Sequence, residues 1–415
     1  MTTRYVDQFD QTPASARWPL VRRWMYEESL PFFAEVRAHR PILPTPEVTV
    51  VTRFADCAAV LRRYDAFSVA LYKPKQGDYW MAQDDTPIHW REKSIMRAII
   101  DREQIPKIRA YVADKAAALL NNAGGKIDAV DGLTRAVPIA LVQDWFGFVD
   151  SDPKQLFEWS YWNQHDCFHN QPFDSIVRPD PAAIVTSREA ANENMRQYLI
   201  ALVQRRATEL KAGQLNADPV SRLLRLSVTG ALQFDVARVV LNVGGLLIGA
   251  VETTSHAAIN ALAGLLDRPE VIGAARAAAA ADDPAAFDGY VFEALRFKPA
   301  FPYFFRTCEQ PTMLAGGTEH ATEIAPGTTV LAVTHAAMFD PAVFPEPERF
   351  DPSRARGDTF HFGQGLHECL GRPIAQVMIP EIVRQCLRRP GLRAAGPVDR
   401  RGGPVPESYT LRWDA

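Results

Sequence analysis

Residues 362–371 read Phe362-Gly363-Gln364-Gly365-Leu366-His367-Glu368-Cys369-Leu370-Gly371, and this stretch decides how the rest of the chain is interpreted. Two glycines two residues apart allow a tight backbone path beside a flat, bulky ligand. Cys369 follows, just ahead of a run from 370 to 387 whose pattern predicts a helix. Helix N-terminal N–H groups stabilise a thiolate, the form of cysteine that binds metal. A single Cys in such a loop cannot close a tetrahedral zinc or iron–sulfur site. It can give one axial ligand to a metal already held by a macrocycle.

Outward from this loop, apolar residues recur at three- and four-residue spacing over 30–39, 105–122, 188–212 and 233–266, which predicts amphipathic helices. The alanine-rich segment 274–281 adds another. Strand-like alternation is confined to 48–52, 313–314 and 328–333, with a turn at Pro326-Gly327. Segments 70–85, 165–181 and 340–371 carry neither period, and irregular stretches of that length are usually functional. The expected fold is mainly α with a minor β portion. Length alone, 415 residues, would suggest two or three domains, but no repeat, charge block or linker divides the chain. One large domain over 1–415 is expected, with a helix-rich core at about 89–300 and 365–390. The β regions fall at about 40–55 and 311–335, and the ligand loop at 360–371.

Composition excludes several classes. With 46 Lys+Arg against 49 Asp+Glu the net charge is −3, so no global field draws the chain to nucleic acid or anionic membrane. Cys57, Cys167, Cys308, Cys369 and Cys386 show no C-x-x-C pairing, which fits reduced thiols in a cytosolic protein. The first residues lack the apolar core of a signal peptide. The apolar stretch 239–251 is interrupted by Asn242 and is too short to span a bilayer. A soluble, cytoplasmic, monomeric protein is expected.

Residues 362–371 resemble the haem-binding signature of the cytochrome P450 family, F-G-x-G-x-H-x-C-x-G, at all specified positions. The resemblance implies the P450 fold around one haem b, with Cys369 as thiolate ligand to iron. Phe362 would pack near that sulfur beside Gly363, and His367 would reach a propionate. Glu293 and Arg296 match the family's E-x-x-R. Arg349, before Phe350, matches the arginine of its proline-rich meander, which implies a buried structural network of the three. Gly249-Ala250-Val251-Glu252-Thr253-Thr254 resembles the oxygen-binding motif, with Ala250 where glycine is usual. Glu252 and Thr253 would then carry protons toward dioxygen; independently, an acid and a hydroxyl midway along an apolar helix are costly and invite a functional reading. His89 and Lys93 follow Asp85-Thr86-Pro87, a helix start with proline just inside. They match a propionate-gripping H-x-x-x-R in which lysine replaces arginine and cannot form a bidentate fork. Arg306 matches another propionate ligand.

The implied activity is a monooxygenase that inserts one atom of dioxygen into a small apolar or aromatic molecule. Its electrons would come from a separate ferredoxin and reductase. Arg91, Arg97, Arg102, Lys107, Arg109 and Arg372 are candidates for the docking face. Family-equivalent segments put Tyr79, Trp80, Phe168, Phe173, Val251, Phe301, Tyr303 and Phe304 around the substrate, with Lys75, His165 and His169 as possible polar anchors. Two other readings remain at this stage: a peroxide-driven peroxygenase, and a haem-based sensor without turnover.

Overall fold

The computed structural model describes residues 4–174, 180–228, 230, 232, 234–357 and 359–414. Residues 175–179 of the 165–181 segment, and Gln233, the expected first residue of the 233–266 helix, lie outside them.

The elements that build the site, in chain order, begin with strands β1 (Ile42–Pro44), β2 (Thr49–Val51) and β3 (Phe67–Ser68). Helices α1 (Pro87–Ile99), α2 (Ile105–Asn122), α3 (Pro153–His169) and α4 (Pro181–Lys211) follow, then α5 (Val236–Ala250), α6 (Glu252–Leu266) and α7 (Ala285–Phe297). Strands β4 (Phe304–Cys308) and β5 (Thr329–Ala332) precede α8 (Arg372–Leu387).

Helix α6 occupies the centre. Ala257, Ala258, Ala261, Ala263 and Gly264 let its neighbours approach closely, and a Cβ at Gly264 would stand 3.7 Å from that of Ala294 on α7. Helices α7 and α8 pack on α6, while α3 and α4 pack on α5. Val112, Leu141, Leu202, Val243, Ile259, Phe287 and Ile382 meet in one apolar core. The run Val236–Leu266 is long and apolar enough to cross a membrane, contrary to what the 239–251 stretch alone implied. In this fold the same apolar character is met by protein on several sides.

Strands β1-β2-β5-β4-β3 form the main sheet in that order. Val50 pairs with Leu331 in parallel and Arg306 with Val330 antiparallel. Strand β4, which carries Arg306, shows no clean alternation in sequence because Phe305 and Arg306 are both buried. The predicted loop 165–181 is helical at its start, since α3 continues to His169. Ser160, Asn163, Gln164 and Asp166 are buried there, so its inner face is polar and hides the helical period.

Candidate haem-thiolate site

The cysteine loop is closed by the Cys369 N–H donating to the Phe362 carbonyl at 2.9 Å. Gly363 and Gly365 have φ +67° and +75°, where a side chain is strained. Their surroundings differ. A Cβ at Gly365 would stand 2.7 Å from the Leu61 carbonyl oxygen and 3.0 Å from the Arg62 Cα, so this glycine answers to protein packing. At Gly363 the nearest atoms, the His367 carbonyl and the Phe304 ring, are 3.9 Å away. Only Gly363 therefore leaves room for a ligand.

Cys369 is exposed, whereas the other four cysteines are buried. Yet enough protein surrounds it for desolvation to raise its thiol pKa, opposed by the N–H groups of Gly371 and Arg372. An accessible sulfur deep in the protein lines a recess. Tyr79 bridges from it to α5: a Cβ at Gly245 would collide with the Tyr79 hydroxyl, and the Tyr79 pKa is raised by burial, then by the charges of Glu92 and Cys369. One turn on, Gly249 is exposed in the middle of an otherwise packed helix, with nothing within 4 Å of a Cβ placed on it. The helix breaks at Val251 (φ −87°, ψ −72°). The Thr253 hydroxyl donates to the Gly249 carbonyl at 2.7 Å, a side-chain bond of the kind that bends helices.

Cationic and imidazole groups gather at the recess edge. Thr86 caps α1 by accepting from the His89 N–H at 3.2 Å, and so fixes the start of the helix that carries His89 and Lys93. The His89 Nδ1 faces the carbonyls of Trp80 (3.0 Å) and Gln83 (2.9 Å) and carries the proton. Its Nε2, the Nδ1 of His367 and the Nε1 of Trp80 are all buried without a partner. The three rings adjoin, with centroids 5.3 Å apart for Trp80–His89 and 5.1 Å for His89–His367. Arg306 is buried, with one hydrogen bond to the Phe305 carbonyl at 2.8 Å and no ion pair among the described residues. An unpartnered indole N–H, an unpaired guanidinium and two imidazole nitrogens that become donors on protonation stand at one edge and suit an anionic ligand. The two carboxylates of a haem meet that demand, and the residues present fit the group.

Several expectations change. Lys93 is buried and its Nζ donates to the Leu366 carbonyl, so it braces the cysteine loop. Burial and Arg97 lower its pKa to about 8, against Glu368 and Cys369. His367 binds Asp84 at 3.2 Å through Nε2. Trp80 packs edge-on to His89, with the Lys93 Nζ 5.7 Å from its ring centroid. Phe173 and Tyr303 pack in a second core with Trp24 and Phe33, and Val251 is fully buried in the first. Phe168, Phe301 and Phe304 form a continuous half-buried wall, with centroids 5.1 and 6.3 Å apart. Ala250, half-buried, lies beside Gly249 at the break, and Phe362 packs edge-on to Phe292 at 6.0 Å. Lys75 is spent on Asp166 and the Asn170 carbonyl, and His165 and His169 lie at the wall's end, His169 stacked on Phe301 at 6.2 Å.

Glu252 does not open onto the recess. It is buried in a bidentate pair with Arg135 at 2.8 and 3.0 Å, and Arg135 also reaches Asp131 and Glu407. Burial raises the Glu252 pKa and Arg135 opposes that rise. Arg349 does not join Glu293 and Arg296. Its side chain is exposed, paired with Glu346 and Asp351, and only its backbone carbonyl accepts from Arg296, at 3.3 Å. Arg354 takes the expected place, donating to Glu293 at 3.2 Å and to the carbonyls of Pro345, Glu346 and Arg349. Nothing in the spacing of the meander distinguishes these two arginines. Only the folded path of the loop does.

A mainly helical fold with one exposed cysteine, a bent central helix, and partnerless imidazole nitrogens and an unpaired guanidinium near the cysteine loop fits a haem-thiolate protein. The family profile described as cytochrome P450 matches residues 287–393. The chain is 26% identical to the cytochrome P450 monooxygenase PikC of Streptomyces venezuelae over 86% of this chain and 83% of that one. It is 28% identical to the erythromycin C-12 hydroxylase of Saccharopolyspora erythraea over 79% and 78%. The crystal structure of CalO2 superposes with a TM-score of 0.79 at 21% identity, covering 94% of this chain and 97% of that one. The chain has the cytochrome P450 fold, and these matches support a bacterial-type cytochrome P450, an oxidoreductase of the monooxygenase class.

Proposed function

We propose that the protein holds haem b through Cys369 and inserts one atom of dioxygen into a small, largely apolar or aromatic substrate. The observation that carries this reading is the exposed Cys369 beside Tyr79, whose hydroxyl reaches Gly245 one turn before the exposed Gly249 and the helix break. When bound, the haem supplies a thiolate-ligated iron that activates dioxygen and favours O–O cleavage. The chain's own residues do the rest. Arg306 would supply the charge opposite the propionates, the Trp80 Nε1–H and the His89 and His367 rings, once protonated beside a carboxylate, would donate to them, and Lys93 holds the Leu366 carbonyl and with it the cysteine loop. Phe168, Phe301 and Phe304 exclude water and orient an apolar body.

Thr253 carries the hydroxyl at the helix break. With its hydroxyl hydrogen on the Gly249 carbonyl, its oxygen is left to accept from water and relay a proton. Glu252, tied to Arg135, supports the helix break from behind and reaches the relay only if that pair opens. A retained hydroxyl relay favours dioxygen over a peroxide route. Turnover with isotopically labelled dioxygen, a ferredoxin and its reductase should place the label in product. Turnover with peroxide alone would favour the peroxygenase.

Electrons would arrive from a soluble ferredoxin in the cytoplasm, at a monomer. Arg97, Arg102 and Lys107 are exposed, and Arg62 lies behind Gly365 against the cysteine loop. Arg109 is withdrawn from the candidates because Asp288 and Glu381 hold it. Arg91 pairs with Glu92 and Arg372 with Glu368. The variant Arg97→Glu should slow reduction by ferredoxin several-fold at low salt, with the difference closing as salt rises. An unchanged rate at low salt in stopped-flow reduction would remove this face from the docking site.

A further inference from the structure

One polar line on the central helix runs away from the recess. Gly249, Thr253, His256 and Asn260 recur at three- and four-residue spacing and share one face of α5–α6. The line ends at Arg400, whose Nη2 donates to the Asn260 Oδ1 at 2.6 Å. Its Nη1 donates to the Pro404 carbonyl and lies 3.4 Å from the His256 Nε2. His256 in turn lies 6.3 Å from the Phe301 ring, so the aromatic wall Phe304–Phe301 leads from the cysteine loop to this corner.

The corner is positive and lacks a counter-charge. All three Arg400 contacts are neutral groups, and no carboxylate pairs with it among the described residues. The adjacent Asp399 is turned toward its own loop, accepting the Arg401 N–H at 2.8 Å. Charges around His256 are those of Arg400, His165 and Lys298, and burial keeps His256 itself neutral. Lys298 has Asp267 nearby; Arg400 has only the Tyr26 phenol. Neutral partners satisfy N–H groups but leave a half-buried guanidinium uncompensated, which is unfavourable unless an anion completes it.

We propose that the substrate carries a carboxylate, and that Arg400 and His256 receive it at the end of the Phe301–Phe304 wall away from Cys369. This rests on the reading of the recess as the substrate site and narrows its substrate class to aromatic or apolar acids. Arg400 supplies the charge. His256, kept neutral, offers no competing charge and fixes the guanidinium plane. The wall sets the length of the apolar body between the acid group and the carbon to be oxidised.

The test uses the haem-loaded protein with 3-phenylpropionate and 4-phenylbutyrate against their amides, by calorimetry and by perturbation of the Soret band. At least one acid should bind about ten-fold more tightly than its amide, the size of a charge-assisted hydrogen bond. Arg400→Gln should remove that preference and leave amide binding within about two-fold, and Arg400→Lys should restore part of it. Equal affinities in the parent protein, no binding by either acid, or an acid preference that survives Arg400→Gln would each overturn the proposal. The parent comparison stands even if the variants fold poorly. A thiolate-type carbon monoxide spectrum without acid preference defeats this proposal alone, whereas a missing spectrum defeats the functional reading on which it rests.

Discussion

Arg296→Ala is expected to leave little folded protein. Arg296 donates to Glu293 at 2.7 and 2.9 Å and to the Met338 carbonyl at 3.1 Å, and both partners of the pair are almost fully buried. Its guanidinium also lies over the Phe339 and Phe297 rings, at 4.2 and 4.6 Å. Removing one partner of a buried pair costs about 3–5 kcal/mol, against a total stability of about 5–15 kcal/mol. Glu293 would keep Arg354, but that side chain also ties down the 345–349 carbonyls and cannot fill the space left beside Phe339. Thermal unfolding and soluble yield read the effect. Arg354→Ala should follow at a smaller cost, while Arg349→Ala, an exposed side chain, should fall within about 0.5 kcal/mol of the parent. A strongly destabilised Arg349→Ala beside a tolerant Arg354→Ala would show that the meander is tied differently.

Thr253→Ala is expected to separate reductant consumption from product. The hydroxyl is the side-chain group at the break that both holds the Gly249 carbonyl and can pass a proton toward the recess. Losing a positioned proton relay typically costs about 10²–10⁴-fold in the step it serves. Reductant use should continue, with the missing product appearing as hydrogen peroxide from two-electron reduction of dioxygen. Thr253→Ser should recover part of the yield. Product formation equal to the parent in Thr253→Ala would mean that the proton travels another way, and equal peroxide-driven turnover in both would favour the peroxygenase reading.

Residues 362–371 were legible because their chemistry is local. A loop cysteine before a helix and a glycine at positive φ are properties of ten consecutive residues. The sequence pattern around Glu293-Ala294-Leu295-Arg296 was readable for the same reason, since i and i+3 meet on any helix. What sequence missed is set by long-range packing. Arg354 replaces Arg349 because the proline-rich loop turns one inward and the other outward. Arg135 holds Glu252 from 117 residues away, and neither residue's neighbourhood announces the pair. Trp80, Phe173 and Tyr303 look like pocket aromatics in sequence, yet one packs against His89 and Lys93 and two in a core. Aromatic residues serve packing and binding equally, and only the fold decides. Gly365 teaches the same lesson in reverse: its glycine is required by the Leu61 carbonyl rather than by a ligand.

The central claim is that Cys369 ligates haem iron as a thiolate in this recess. The most direct measurement is the absorption spectrum of the reduced, haem-loaded protein under carbon monoxide. The parent should show the red-shifted Soret band of thiolate ligation, and Cys369→Ser should lose it while the fold, by circular dichroism, is kept. A parent spectrum without that band, or one that persists in Cys369→Ser, would contradict the account.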